Sequence, residues 1–365
     1  MRFDVRYRTV FSYDEQVSES QNELRACPTT SETQRLLDYR VTIQPAARVF
    51  SSVDAWGTRV DAFGIRRPHD SMTVIAEASV ETSGSVMPAA APRLEALRQK
   101  GFVDEYVEYL QRDRHTDFGA EIARAAAEQV DLVAPDVIGA ILAIHRFVGQ
   151  TLRYTPGSTE VGIAVDDVFA GGVGVCQDYA HLAVAMCRSV GIPARYVSGY
   201  LFTERDDVGS PAETDAVVVQ THAWFEAAVP GAGWLGLDPT NGQIASEHHV
   251  KIGHGRSYDD VQPLRGVYLG PGNSDVEPVV EIRRVPPIDL WRSGANVSVS
   301  AVDAVPADLP LGVRRYSDPH PSGSSIRQQQ LQQQQTGAVR TGSLRSGHDL
   351  PERPAPGKRN QHTRT

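Results

Sequence analysis

The chain has 365 residues, 41% of them apolar, and a formal net charge of −9, long enough for two or three domains and of the wrong sign for a nucleic-acid surface. No stretch approaches the roughly 20 apolar residues a membrane span needs, and the opening MRFDVRYRTVFSYDEQ carries charges where a secretory leader would have its apolar core. A cytoplasmic protein without a membrane or nucleic-acid partner is therefore expected.

Taken in chain order, the first 85 residues read as strands. Phe3, Val5 and Tyr7 alternate onto one face, as do Tyr39, Val41 and Ile43, and then Met72, Val74 and Ala76. Short strands at such intervals predict an antiparallel sheet or sandwich. GSVMPAA breaks the pattern, and helical spacing in APRLEALRQKGFVDEYVEYLQRD and FGAEIARAAAEQV predicts a helical connector over 86–134. Pro135 and Asp136 open a stronger helix with Val137, Ile138, Ile141, Ile144 and Val148 at helical period. A turn-rich approach leads to the helix QDYAHLAVAMCRSV, stopped by Gly191 and Pro193. Strand candidates follow in ARYVSGYLF, AVVVQTHAWFEAAV, GWLGLDPT and VEPVVEIRRV. A helix followed by a run of strands predicts an α+β domain with an antiparallel sheet over 135–285. From 286 the composition turns Gln-, Ser-, Gly- and Pro-rich, and a disordered tail over 286–365 is expected. Residues 316–365 carry seven Lys/Arg against three Asp/Glu, a local +4 that leaves −13 for the rest, and the simplest reading is a solvated appendage.

The three cysteines, Cys27, Cys176 and Cys187, are too few for a disulfide framework, and no CxxC pair suggests structural zinc. A thiol is a nucleophile only as thiolate, and a helix N-terminus lowers its pKa. Cys176 stands at the start of its helix, where exposed N–H groups favour an anion, and Gly171, Gly172 and Gly174 let the chain turn into that position and leave room for a substrate backbone. Cys187 lies toward the opposite end of the same helix and reads as a packing residue. Cys27 has no activating device beside it. Among the eleven histidines His222 has the best setting, on a strand face shared with Val218, Gln220 and Trp224. Asp238 closes the next strand one hairpin on, and neighbouring antiparallel strands bring such residues side by side. Taken singly, His222 reads as an ordinary satisfied strand residue and Asp238 as a turn initiator. Together with Cys176 they fit the Cys-His-Asp logic of acyl transfer.

The segments GVCQDYAHLAVAMCRSVGIPARYVSGYL and THAWFEAAVPGAGWLGLDPTNG resemble the core of the transglutaminase-like superfamily, in its bacterial branch. VGQTLRYTPGSTEVGIAVDDVFAGG before them and GRSYDDVQPLRGVYLG after them extend the likeness. SQNELRACP, DAWGTRVDAFGI and RRPHDSMTVIAEASV resemble the bacterial transglutaminase-like N-terminal region. The resemblance spans roughly residues 1–285. It implies a papain-like α+β core, with a cysteine helix packed on an antiparallel sheet, preceded by a β-rich N-terminal domain. It further implies Cys176 as nucleophile, His222 as base and Asp238 as orienting acid, working through a thioester. The acyl donor would be a peptide or protein amide and the acceptor an amine or water. Animal transglutaminases draw a second oxyanion donor from an upstream tryptophan. No tryptophan lies between Trp56 and Trp224, so a peptidase or amidase is expected rather than a crosslinker, with Tyr154 as the substitute donor beside the Cys176 N–H. Asp178 and His181, three apart on the cysteine helix, are supporting candidates that would face the cleft and pair, with helix capping the alternative for Asp178. His248, His249 and His254 in EHHVKIGH read as an exposed loop. No cofactor or metal is expected, since no acidic loop has EF-hand spacing. The alternative to an enzyme is a catalytically silent binding or scaffold protein with the same fold.

Overall fold

The computed structural model describes residues 1–133, 135–203, 216–219 and 221–286. The expected disordered tail, 286–365, lies outside these residues, Pro286 aside. In chain order the elements are β1 (Arg2–Val17), β2 (Glu19–Leu24), β3 (Gln34–Gln44), β4 (Val49–Val53), β5 (Arg59–Ile65) and β6 (His69–Thr82), then α1 (Lys100–Glu105), α2 (Ala120–Asp131) and α3 (Val137–Thr151). Next come β7 (Arg153–Tyr154), α4 (Val165–Gly171), β8 (Val173–Gly174) and α5 (Cys176–Ser189). The last strands are β9 (Ala194–Leu201), β10 (Ala216–Val219), β11 (Thr221–Val229), β12 (Gly233–Asp238), β13 (Gln243–Ile244), β14 (His249–Gly255), β15 (Leu264–Leu269) and β16 (Ser274–Arg284).

The period-2 pattern of β1 buries Phe3, Val5 and Tyr7, and the antiparallel β6 sets Met72, Val74 and Ala76 into the same core. Leu24, Phe63, Ile65 and Leu264 close that core from a second sheet. The strand orders are β10-β16-β1-β6-β3 and β15-β2-β5-β4. Both N-terminal sheets are therefore completed from the far end of the chain. β16 pairs with β1 from Phe3↔Arg284 to Tyr13↔Ser274, and β15 pairs with β2. The division drawn in sequence between residues 1–85 and 135–285 is thus crossed in space by β15 and β16. Val276, Val280 and Ile282 of β16 are buried, and β16 covers an edge of β1 that would otherwise expose a row of unpaired backbone groups.

The third sheet runs β13-β12-β11-β9-β14, all antiparallel. Phe225, Ala227 and Val229 of β11 share a core with Leu182, Ala183 and Met186 of α5, which α2, α3 and α4 join. Every α5 residue from Cys176 to Arg188 is buried, so it is a central helix with its small residues admitting neighbours on all sides. The α+β expectation, a cysteine helix on an antiparallel sheet behind a β-rich region, is what the chain forms.

Two local expectations change. The first helical stretch of the connector, unlike the second, which forms α2, is not a regular helix: between 94 and 110 it makes two 3₁₀ turns around the short α1. Aromatic packing sets its course, with the Tyr106 and Tyr109 rings 5.3 and 4.9 Å from Trp234. AVVVQTHAWFEAAV is also not one strand. β10 joins the N-terminal sheet through β16, while β11 joins the cysteine sheet. Val218 is exposed and does not share a strand with His222, and Gln220 lies outside the described residues.

Candidate active site

Gly172, with φ +64°, ends α4 in a left-handed turn, and the chain extends through β8 to Val175 before α5 begins at Cys176. The Asp178 carboxylate accepts the Val175 N–H at 2.8 Å and the Thr159 hydroxyl at 2.5 Å, capping the first turn. A Cβ on Gly174 would stand 2.9 Å from the Asp178 Cβ, so this glycine makes room for the cap rather than for a substrate. Burial raises the Asp178 carboxyl to about 6 against the pull of those two bonds. Cys176 sits at the positive end of a 14-residue helix, packed among Ala180, Tyr196, Ala223, Tyr258 and Val261. Cys187, eleven residues on, is fully buried, and desolvation pushes its thiol up to about 12; burial likewise pushes Cys27 up to about 11. Neither has the setting of a nucleophile.

The β11–β12 register, Phe225↔Leu237, places His222 diagonally across from Asp238 at the end of its strand. His222 Nε2–H donates to Asp238 Oδ2 at 2.8 Å. The same ring bonds the Cys176 thiol, and with Nε2 engaged, Nδ1 is the nitrogen left to do so. Burial disfavours the imidazolium, but the Asp238 carboxylate, its hydrogen bond and the Cys176 sulfur outweigh burial and push His222 up to about 10. Asp238 is completely buried; desolvation would raise its carboxyl, but the charge and hydrogen bond of His222 and the bond from His249 hold it far below the carboxylate range.

Further groups hold Asp238 that the sequence did not single out. Thr240 and Asn241 N–H groups donate to Oδ1 at 3.0 and 3.2 Å, and the Asn241 side chain donates to Oδ2 at 2.7 Å. His145 of α3 donates Nε2–H to the Asp238 backbone carbonyl at 3.1 Å. α3 comes close enough because residue 149 is glycine: a Cβ there would lie 2.9 Å from the Pro239 carbonyl oxygen. His249 donates Nε2–H to Oδ2 at 3.3 Å. EHHVKIGH is thus not an exposed loop; from His249 on it is the strand β14, and His249 is buried. Asn241 was legible as part of the turn DPTNG. His145, a polar position in a mostly apolar helix, carried no signal of its target.

His222, Asp238 and His249 offer three ligand atoms within 4.8 Å of one another. The proton positions argue against reading them as a metal site. The Ser246 backbone N–H donates to His249 Nδ1 at 3.1 Å, so the ring proton is on Nε2, which faces the carboxylate as a donor and has no lone pair to give a cation.

Asp178 and His181 do not pair across a cleft. Asp178 is spent on the helix cap, and His181 Nε2 accepts the Tyr258 N–H at 3.2 Å while its ring stacks between His115 (4.8 Å) and Tyr196 (4.7 Å). Tyr154 lies on β7, paired with Gly174 of β8 two residues ahead of Cys176, with its ring 6.4 Å from that of Tyr179.

The raised His222 value has a measurable consequence. A group whose folded pKa lies above its unfolded value stabilises the fold fully below the unfolded value, near 6.5, and loses that contribution as pH rises toward about 10. In NMR titration the His222 ring is expected to keep imidazolium shifts through pH 8 and to titrate near pH 10. A ring titrating near 6.5 would mean that the Asp238 carboxylate does not hold it charged.

Two family models match the chain: the transglutaminase-like superfamily over residues 124–239, and the bacterial transglutaminase-like N-terminal region over residues 3–81. A protein of Mycobacterium leprae described as uncharacterized is 36% identical over 285 residues, covering 78% of this chain and 99% of its own length. A protein-glutamine gamma-glutamyltransferase of Pseudomonas aeruginosa is 36% identical over 131 residues, 34% of this chain and 19% of that protein. Among solved structures, a proposed cysteine protease from Cytophaga hutchinsonii superposes with a TM-score of 0.61 at 22% identity, covering 79% of this chain and 92% of that one, a likeness of fold. The chain belongs to the transglutaminase-like superfamily, with the bacterial N-terminal region ahead of the core.

Proposed function

We propose that this protein is a cysteine-dependent amide hydrolase or acyltransferase, with Cys176 as nucleophile, His222 as general base and acid, and Asp238 as the group that orients and charges His222. The observation that carries the reading is the unbroken series of thiol, imidazole and buried carboxylate at the N-terminus of α5. Cys176, as thiolate, attacks the carbonyl carbon of an amide. The C–N bond breaks, the amine or ammonia leaves with the proton held by His222, and a thioester remains on Sγ. Water or an amine then attacks the thioester, His222 takes the proton of that nucleophile, and the acid or the new amide departs from the regenerated thiolate. The Cys176 backbone N–H, at the positive helix end, is the first oxyanion donor, and Tyr154 is the side-chain candidate for the second. A peptide or protein amide is the substrate class, in keeping with what the Pseudomonas relative's name says of its own donor.

The reading is tested by incubating the protein with glutamine-containing peptides, quenching in acid and sequencing the adduct by mass spectrometry. An acyl group on Cys176 that hydroxylamine removes is expected, and it is expected to be absent from Cys176→Ala. A chain that forms no adduct, and whose Cys176 reacts with iodoacetamide no faster than Cys187, would be a scaffold instead.

A further inference from the structure

The geometry points to His249 as a positioning residue, a neutral imidazole that holds the Asp238 carboxylate in the orientation from which it directs His222. This inference rests on the acyl-transfer reading and adds a fourth member to its relay.

Asp238 Oδ2 receives Nε2–H from two histidines, His222 at 2.8 Å and His249 at 3.3 Å. Their roles differ because their far nitrogens differ. Beyond its bond to Asp238, His222 faces the Cys176 thiol. His249 is closed off: its Nδ1 accepts the Ser246 N–H at 3.1 Å, so its tautomer is set by backbone and it can only donate toward Asp238. Its ring stands edge-on to Trp224 at 5.2 Å, while the Trp224 ring lies alongside that of His222 at 6.1 Å. One tryptophan thus packs against both imidazoles that meet on one carboxylate oxygen. The sheet delivers this arrangement from three strands, β11, β12 and β14.

Neutrality is part of the function. A second cation beside Asp238 would compete with His222 for its charge. Burial depresses the pKa of His249 below the ordinary value, and the charged His222 ring and His248 add to that, against the opposing pull of Asp238. His249 therefore contributes a hydrogen bond without a charge. Loss of it frees the carboxylate to turn about its remaining donors on Thr240 and Asn241, and the His222 ring loses its fixed partner.

The test is the pH profile of Cys176 alkylation by iodoacetamide in the full chain, read by peptide mass spectrometry from pH 4 to 10, with Cys27 and Cys187 as internal controls. For His249→Leu the acid limb is expected to move to higher pH and the rate at pH 7 to fall about tenfold, the lower end of what loss of a hydrogen-bonded support behind a functional histidine costs. His249→Gln, which restores an N–H donor at similar reach, is expected to return the rate to within about threefold, as an orienting bond would. A merely structural role would change the melting temperature and leave the profile of the folded fraction in place. If leucine prevents folding, His249→Phe keeps a ring against Trp224 and removes both nitrogens, and its profile decides. A His249→Leu or His249→Phe profile that superimposes on that of the unaltered chain overturns the inference. His222→Ala separates the two levels. If it collapses the profile while the His249 variants do not, the role of His249 alone is wrong. If it too leaves the profile unchanged, the acyl-transfer reading has failed, and the inference with it.

Discussion

His222→Ala is expected to lower amide turnover by at least about 10⁴-fold, because removal of one member of a nucleophile–base–acid unit disables the unit as a whole. Two physical losses combine. The thiol loses the cation that its bond to the ring supplies, and the leaving amine loses its proton donor. The same change leaves Asp238, wholly buried, without its counter-ion, although His249, Asn241 and two backbone N–H groups still donate to it. A stability loss of roughly 3 kcal/mol is therefore expected on top of the loss of activity, in the range for stranding one partner of a buried pair. The two effects separate in a double-mutant cycle. Asp238→Asn in the His222→Ala background removes the stranded charge and is expected to recover part of the stability and none of the turnover. Steady-state release of amine or ammonia and urea unfolding provide the two readouts. Turnover within tenfold of the unaltered chain would remove His222 from the reaction.

The second large effect is expected far from the thiol. Arg188, near the C-terminal end of α5, is buried, and burial lowers its guanidinium to about 10. It donates to the carbonyls of Tyr109, Gln111, Ala194 and Arg256 and to the Thr116 hydroxyl, at 2.7 to 3.2 Å. One side chain thus ties the connector, the start of β9 and the turn after β14 to the central helix. That turn carries Tyr258, whose ring packs by Cys176 and whose N–H meets His181. Arg188→Leu strands five acceptors inside the protein and is expected to cost about 3–5 kcal/mol, the magnitude of a broken buried charged network. A urea midpoint that hardly moves would mean that water replaces the guanidinium at little cost. The exposed pairs Lys100–Asp104 and Arg124–Glu128, by contrast, are worth at most about 0.5 kcal/mol each.

Much of the site was legible because its signals are local. Cys176 is marked by a glycine-rich turn ahead of an apolar helix, and helix polarity alone separates it from Cys187. His222 and Asp238 lie 16 residues apart on consecutive strands, where one hairpin brings them together. What failed was of another kind. The strand pattern through AVVVQTHAWFEAAV gives no sign that β10 pairs with β16 and β11 with β9, because alternation records which face is buried and not which sheet buries it. Asp178 and His181 have spacing that suits a mutual contact on the helix, but a cap hydrogen bond takes one and a stack with His115 takes the other.

The sequence by itself determined the fold class and the placing of the proposed site: a thiol at the positive end of a helix, an imidazole and a carboxylate on adjoining strands, and an α+β order of helix before sheet. Only the tertiary structure decided what surrounds the carboxylate. His145, 93 residues before Asp238, and His249, 11 residues after it, reach it from α3 and β14. Only the tertiary structure, too, returned β15 and β16 to the N-terminal sheets. Hydrogen-bond donors to a buried charge and partners for a strand edge are supplied by whatever the fold brings near, and that proximity has no period along the chain.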